Sequence, residues 1–392
     1  MSSQKQHVVV IGAGVIGLSC ALQLQKTGLS VTIVAEHFPS PSETMDPEVY
    51  INYSSPWAGA HNRWVPPTDS DPSSACQHAM AVATFAQMKA LSLSSSPKGI
   101  TFMKGIEYLE SPPPEYLSLT PEAATTQLSM PGFRLLSPSE FPDDRIKWGC
   151  EYATWCLNPM VYCSFLLRGF VTRGGVIHKR ILRSVAEVFG LPLPLQDVGN
   201  NCHSLGDERR RVDAVVNASG IGFGDDPQMY ITRGQTCVVA ETCDATVTRQ
   251  NADGSWTFCV PRGAESGTVV GGTKEPDNWD PMPSREVREK LLRSMEETYP
   301  DIIKNQDGKL TPVRDIVGRR PTRRGGPRVE GEIISLGDGG NGGRGFVMHA
   351  YGLGGRGYEL SWGVAEAVAA GVQEHFAQKR LGEAQPIFWT SM

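Results

Sequence analysis

The run HVVVIGAGVIGLSCALQLQKTGLSVTIVAE, residues 7–36, limits the fold more than any other stretch of the chain. Residues 7–12 are apolar and rich in β-branched side chains, which predicts a buried strand. Val15, Ile16, Leu18, Ala21, Leu22 and Leu24 then recur at helical spacing over 15–27, and Gly28 supplies a stop. A second short strand is expected over 31–35, so the chain opens with a β-α-β unit. Gly12, Gly14 and Gly17 stand at GxGxxG spacing in its first turn. The first permits the tight passage from strand to helix. The second lets backbone approach a diphosphate, and the third lets the helix pack on the strand. Free N–H groups and the helix dipole favour an anion at that point. Glu36 follows at the spacing of a ribose-binding acid, where it repels a 2′-phosphate. The stretch therefore predicts a dinucleotide site that argues against NADP and leaves NAD and FAD both open.

Length and composition set the bounds around this unit. With 392 residues, of which 40% are apolar, the chain exceeds one ordinary domain and can bury a sizeable core. A net charge of −5 gives no broad basic surface for nucleic acid or an acidic membrane. No apolar run approaches the length of a membrane span. The opening MSSQKQH is too polar and short for a signal peptide. Nine cysteines, at 20, 76, 150, 156, 163, 202, 237, 243 and 259, form no CxxC pair. They read as thiols in a reducing compartment and not as a metal site, with one disulfide open among Cys237, Cys243 and Cys259.

Further along, residues 38–72 read as a long functional loop and 73–92 as a helix. PPPEY at 112–116 reads as a turn. Asn158 and Pro159 open a helix that runs to Thr172, and 212–220 is another buried strand. From 233 onward RGQTCVVA, WTFCVP and GTVVGGT predict an antiparallel sheet, followed by an amphipathic helix at 284–300. A strand, GFVMHAYG, then leads through glycines into a helix over about 358–377, and LGDGGNGGRG at 336–345 reads as a surface loop.

The stretch VMHAYGLGGRGYELSWGVA, residues 347–365, resembles the signature of the D-amino-acid oxidase family. Val347, Met348, His349, Ala350, Tyr351, Gly352, Gly354, Gly355, Gly357, Gly363 and Ala365 fit the family pattern at full spacing. Ser55-Pro56-Trp57-Ala58-Gly59, Val216-Asn217-Ala218-Ser219-Gly220, Arg233-Gly234-Gln235 and Gly318-Arg319-Arg320-Pro321 resemble other family segments in the family's order, most closely those of fungal members. The resemblance implies non-covalent FAD. It implies an α/β Rossmann-like FAD-binding domain from 1–58, 151–232 and 314–392. An α+β substrate domain with a mostly antiparallel sheet would come from 59–150 and 233–313. It places Gly12, Gly14, Val15, Ile16, Gly17, Glu36 and His37 at the cofactor. Ala58, Gly59, Ala60, Leu182, Ser219, Gly354, Gly355, Arg356, Gly357, Tyr358 and Glu359 join them. Backbone N–H groups at 354–357 could also stabilise negative charge on a reduced flavin.

The same resemblance assigns Arg320 to the substrate α-carboxylate, which a planar guanidinium pairs through both oxygens. It implies oxidative deamination of a D-amino acid with dioxygen, in which Arg320 and Gly355 act directly and Phe258 and Lys274 line the pocket. Phe258 stands where members usually carry Tyr, so one hydroxyl is missing unless Trp256 replaces it. Lys274 stands where D-aspartate oxidases place Arg, which favours acidic substrates as the alternative to neutral or broad ones. His61 lies in the region where D-aspartate oxidases carry a histidine, and it reads as a structural histidine. A glycine or sarcosine oxidase, an NAD-dependent dehydrogenase and a non-catalytic flavoprotein are the remaining alternatives. The resemblance also implies peroxisomal residence, otherwise cytoplasmic, and allows a homodimer. The tail Thr390-Ser391-Met392 shares only its apolar last residue with a Ser-Lys-Leu address.

Overall fold

The computed structural model describes residues 5–41, 44–93, 98–193, 211–263, 265–303, 307–336 and 343–381. Its centre is a six-stranded sheet. The strands are β1 (His7–Ile11), β2 (Ser30–Ala35), β7 (Val176–Lys179), β8 (Ala214–Asn217), β15 (Arg328–Ser335) and β16 (Arg344–Tyr351), in the order β15-β16-β8-β1-β2-β7. All neighbours are parallel except β15, which runs antiparallel to β16. Both faces are covered, which explains why HVVVI reads as a continuous apolar run rather than an alternating one. Val8 and Val10 join the core formed by α1 (Val15–Lys26), α5 (Pro159–Thr172) and α7 (Gly357–Leu381), while Val9 and Ile11 face a second cluster with Val188 and Val215. The strand order reverses at β1, and in such sheets ligands bind beyond the strand ends at the reversal.

The second sheet has ten strands. Eight follow the order β13 (Glu275–Pro276), β9 (Met229–Val239), β12 (Thr268–Gly271), β11 (Trp256–Pro261), β10 (Ala245–Gln250), β4 (Ile100–Leu109), β6 (Trp148–Leu157) and β3 (Ala60–His61). In addition β14 (Pro312–Arg323) pairs with β9, and β5 (Arg134–Leu135) with β6. Pairing is antiparallel throughout except between β4 and β10. The remaining helices are α2 (Ser74–Ser92), α3 (Pro114–Leu117), α4 (Pro121–Thr126) and α6 (Arg285–Thr298).

The expected α5 begins where the sequence places it, because the Asn158 side chain accepts from the N–H groups of Met160 and Val161. PPPEY is not a simple turn. Pro114 takes the first position of α3, where a missing N–H costs nothing. The boundaries expected at 151 and 314 fall inside β6 and β14, both of them strands of the second sheet. Every described cysteine is a free thiol, and Cys243 and Cys259 lie 3.8 Å apart at sulfur, so no disulfide joins Cys237, Cys243 and Cys259. Residues 337–342 of the glycine-rich loop and the C-terminal tail lie outside the described residues. Among the described residues no helix is long and apolar enough to cross a membrane.

One buried cation ties the second sheet to its loops. The Arg249 side chain is 2% exposed and pairs with Glu110 and with Asp143, the latter at 2.8 Å. Partial burial raises both carboxyls. It is outweighed by hydrogen bonds from the Ala252 N–H and Arg249 at Glu110, and from Arg145 and Arg249 at Asp143, so both titrate below the usual range. Their stabilisation is therefore present near neutral pH and is lost as pH falls below about 4. Arg249→Met removes the buried partner of both carboxylates and leaves Asp143 with Arg145 alone, and we expect it to lower stability at pH 7 by about 3 kcal/mol and to flatten the loss in acid. Urea unfolding of both proteins at pH 7 and again at about pH 3 measures this.

Candidate active site

Gly12 closes β1 with a φ of +96°, and the Ala218 carbonyl oxygen fills the place a Cβ would take. The Gly12 carbonyl in turn fills the Cβ position of Gly17. Both obstacles are backbone, which no rotamer change can move. Helix α1 starts at Gly14 with no side-chain cap and no acid in its first turn. Its Val15 N–H donates to Ser55 Oγ at 3.0 Å, while the Tyr358 hydroxyl donates to the Ser55 carbonyl at 2.9 Å. A Cβ on Gly357, the first residue of α7, would lie 3.9 Å from Val15. Two helix starts thus converge on Ser55, and their dipoles favour negative charge between them.

Glu36 stands at the end of β2 with its side chain 53% exposed, and the His37 ring packs 4.4 Å from that of Tyr50. Leu182 packs beside β7 on the cluster that holds Val9 and Val34, and the Ser219 hydroxyl donates to Asn217 Oδ1 at 2.7 Å. An accessible carboxylate and two adjacent helix starts suit a ribose, a diphosphate and an electron-rich ring.

Arg320, Gly355, Phe258 and Lys274 meet in one cleft of about 650 Å³, together with Ala58, Gly59, Ala60 and the 354–359 turn. Glu36, His37, Leu182 and Ser219 are not on its wall. Strand β14 carries Arg320 opposite Thr232 of β9, and its guanidinium lies against Gly234, where any Cβ would collide with it. Arg320 donates to the Thr273 carbonyl at 3.1 Å. Burial lowers its pKa, and Glu275 opposes that effect. A Cβ on Gly355 would stand 4.0 Å from Arg320 Cδ, so the α7 turn and the arginine face the same space. Lys274 is exposed at the rim. Arg356, on the same wall, donates to Glu359 at 2.9 Å and to Gln77 at 2.9 Å.

Tyr230, His61 and Arg63 also stand on this wall, and the sequence alone gives none of them a part in the site. Tyr230 lines the cleft from β9, next to the strand that carries Arg320. His61, read as structural, lines it too, with Nδ1 buried and lacking a hydrogen-bond partner; burial and the adjacent Arg63 push its imidazole down to about 3. Arg63 lies 4.3 Å over the Trp256 ring and contacts buried Glu107 at 3.4 Å. Trp256 therefore supports a cation, whereas the sequence reading offered it as a substitute for the missing tyrosine hydroxyl. The available signal was position: HNRW follows directly on the SPWAGA loop.

A family model described as FAD dependent oxidoreductase matches residues 7–370. A D-aspartate oxidase of Talaromyces thermophilus is 40% identical over 376 residues, covering 93% of this chain and 94% of its own. A D-amino-acid oxidase of Fusarium vanettenii is 29% identical, covering 92% and 95%. Among solved structures, a glycine oxidase from Geobacillus kaustophilus superposes with a TM-score of 0.63 at 17% identity, over 94% of this chain and 95% of that one, a likeness of fold.

Glu36 is exposed enough to be replaced without disturbing the core. Glu36→Ala should weaken binding of the dinucleotide by about tenfold, the worth of a charged hydrogen bond. Titration of the apoprotein with FAD, followed by flavin fluorescence, reads the change.

Proposed function

Because this chain belongs to the family of FAD-dependent oxidoreductases that its sequence matches over residues 7–370, we propose that it oxidises D-amino acids to 2-oxo acids, ammonia and hydrogen peroxide. The observation that carries the reading is a partly buried guanidinium, Arg320, facing the start of α7 across a cleft. FAD, bound without a covalent link beside the helix starts at Gly14 and Gly357, would supply the hydride acceptor for the α-carbon and the route for the electrons to dioxygen.

The chain itself supplies placement and charge. Arg320 clamps the α-carboxylate with its planar fork, and the Thr273 carbonyl fixes the fork's angle. The Gly355 backbone faces the amine, and the absence of a side chain there leaves room for it. Phe258, held against Gly59 and Gly271, closes the pocket as an apolar wall. The amine reacts in its neutral form, and its lone pair forms the C=N bond as the hydride departs. No general base is required, and water then hydrolyses the imino acid. The helix starts at Gly14 and Gly357 would hold the diphosphate and favour negative charge on the ring. The first sheet with its helices holds the cofactor in this reading, and the second sheet covers the substrate.

Acidic side chains are favoured over neutral ones, on the likeness to a D-aspartate oxidase and on the cations along the cleft. Peroxisomal residence suits a peroxide producer and belongs to the same proposal, as does a homodimer. Peroxide release measured over both enantiomers of each amino acid should appear for D forms alone; equal turnover of L forms would overturn the reading. Arg320→Ala should lower kcat/KM for D-aspartate by tens- to thousands-fold, the consequence of about 2–5 kcal/mol of lost charge pairing.

A further inference from the structure

Residues Gly234, Thr236, Phe258 and Trp256 share one face of the second sheet. Thr236 pairs with Gly271, which pairs with Phe258, and a Cβ on Gly271 would touch both side chains. Gly234 and Trp256 lie two residues from Thr236 and Phe258 respectively, hence in the same next row of that face. One guanidinium rests on each end of this row, Arg320 on Gly234 and Arg63 on Trp256. Strands β9 and β11 are separated by β12, so the two supports are on the order of 10 Å apart. That is the span of a short dicarboxylate with a guanidinium at each end.

We propose that Arg63, seated on Trp256 and held by Glu107, binds the side-chain carboxylate of an acidic D-amino acid and sets the preference for acidic over neutral substrates. The inference rests on the oxidase reading above and deepens it. Glu107 contacts Nη1 of Arg63 at 3.4 Å and also accepts from Gln250 Nε2 at 2.8 Å. Its carboxylate thus anchors one corner of the guanidinium and leaves the other donors of the fork for a ligand. Burial disfavours the charge on Arg63, and Glu107 together with Tyr116, Glu359 and Tyr152 outweighs that effect, so the guanidinium stays charged. The side chain is 15% exposed, whereas Lys274 is exposed at the rim. A solvated lysine contributes little to a charge pair, whereas an arginine already oriented by a ring and a carboxylate loses little freedom on binding.

Arg63→Gln alone leaves Glu107 buried and unpaired, so the test uses the double variant R63Q/E107Q together with R63K and K274Q. Two quantities are read in the flavin-loaded proteins. One is the ratio of kcat/KM for D-aspartate to that for D-alanine. The other is the ratio of Kd for acetate to Kd for malonate, taken from the flavin absorbance change. In R63Q/E107Q both ratios should fall about tenfold or more, with R63K intermediate and K274Q showing a smaller fall. Ratios within about twofold of the parent in R63Q/E107Q, or a larger fall in K274Q, overturn the proposal. If the parent oxidises no D-amino acid, the oxidase reading fails, and the malonate titration still decides the role of Arg63.

Discussion

A guanidinium shielded from water without a carboxylate against it is unfavourable, and the site is organised around that fact. Arg320 has a carbonyl for its hydrogen bond and a glycine beneath it, and its pKa is lowered by burial. An anion entering the cleft relieves this cost, and a carboxylate relieves it with two parallel hydrogen bonds. Gly234 is fixed by the same contact, because a side chain there would expel the arginine. The eleven-residue strand β9 and the twelve-residue strand β14 hold the pair in register.

The fold brings this cation to the cofactor side through a few short contacts. Ser55 binds both helix starts, accepting from Val15 and from Tyr358. Gly12, Ala218 and Gly17 pack backbone on backbone, which sets how closely α1 approaches the reversal point of the first sheet. The loop that carries Ser55 continues through Gly59 to His61 and Arg63, so one segment touches the helix starts, the apolar wall and the basic end of the cleft.

The first β-α-β unit was legible because its periodicity and glycines are local. Helix α5 was legible because Asn158 caps it with its own side chain, and α6 because its apolar and charged residues recur at helical spacing. Arg320 was legible by resemblance alone; four neighbouring arginines, at 314, 319, 323 and 324, have the same local character. The parallel pairing of β10 with β4 was not legible, since it joins strands more than a hundred residues apart and a local pattern carries no partner. Arg63 stayed hidden for the same reason: its carboxylate is 44 residues away and its ring lies on β11. Lys274, the cation that the sequence put forward, proves to be the more solvated of the two.

The central claim is that this cleft holds a D-amino acid by its α-carboxylate beside a flavin. Rapid mixing of the FAD-loaded protein with D-aspartate, and separately with L-aspartate, in the absence of oxygen tests it most directly. The account predicts that the D enantiomer abolishes the oxidised flavin absorbance in a single turnover and that the L enantiomer leaves it unchanged. Loss of that absorbance with both enantiomers, or with neither, would contradict it.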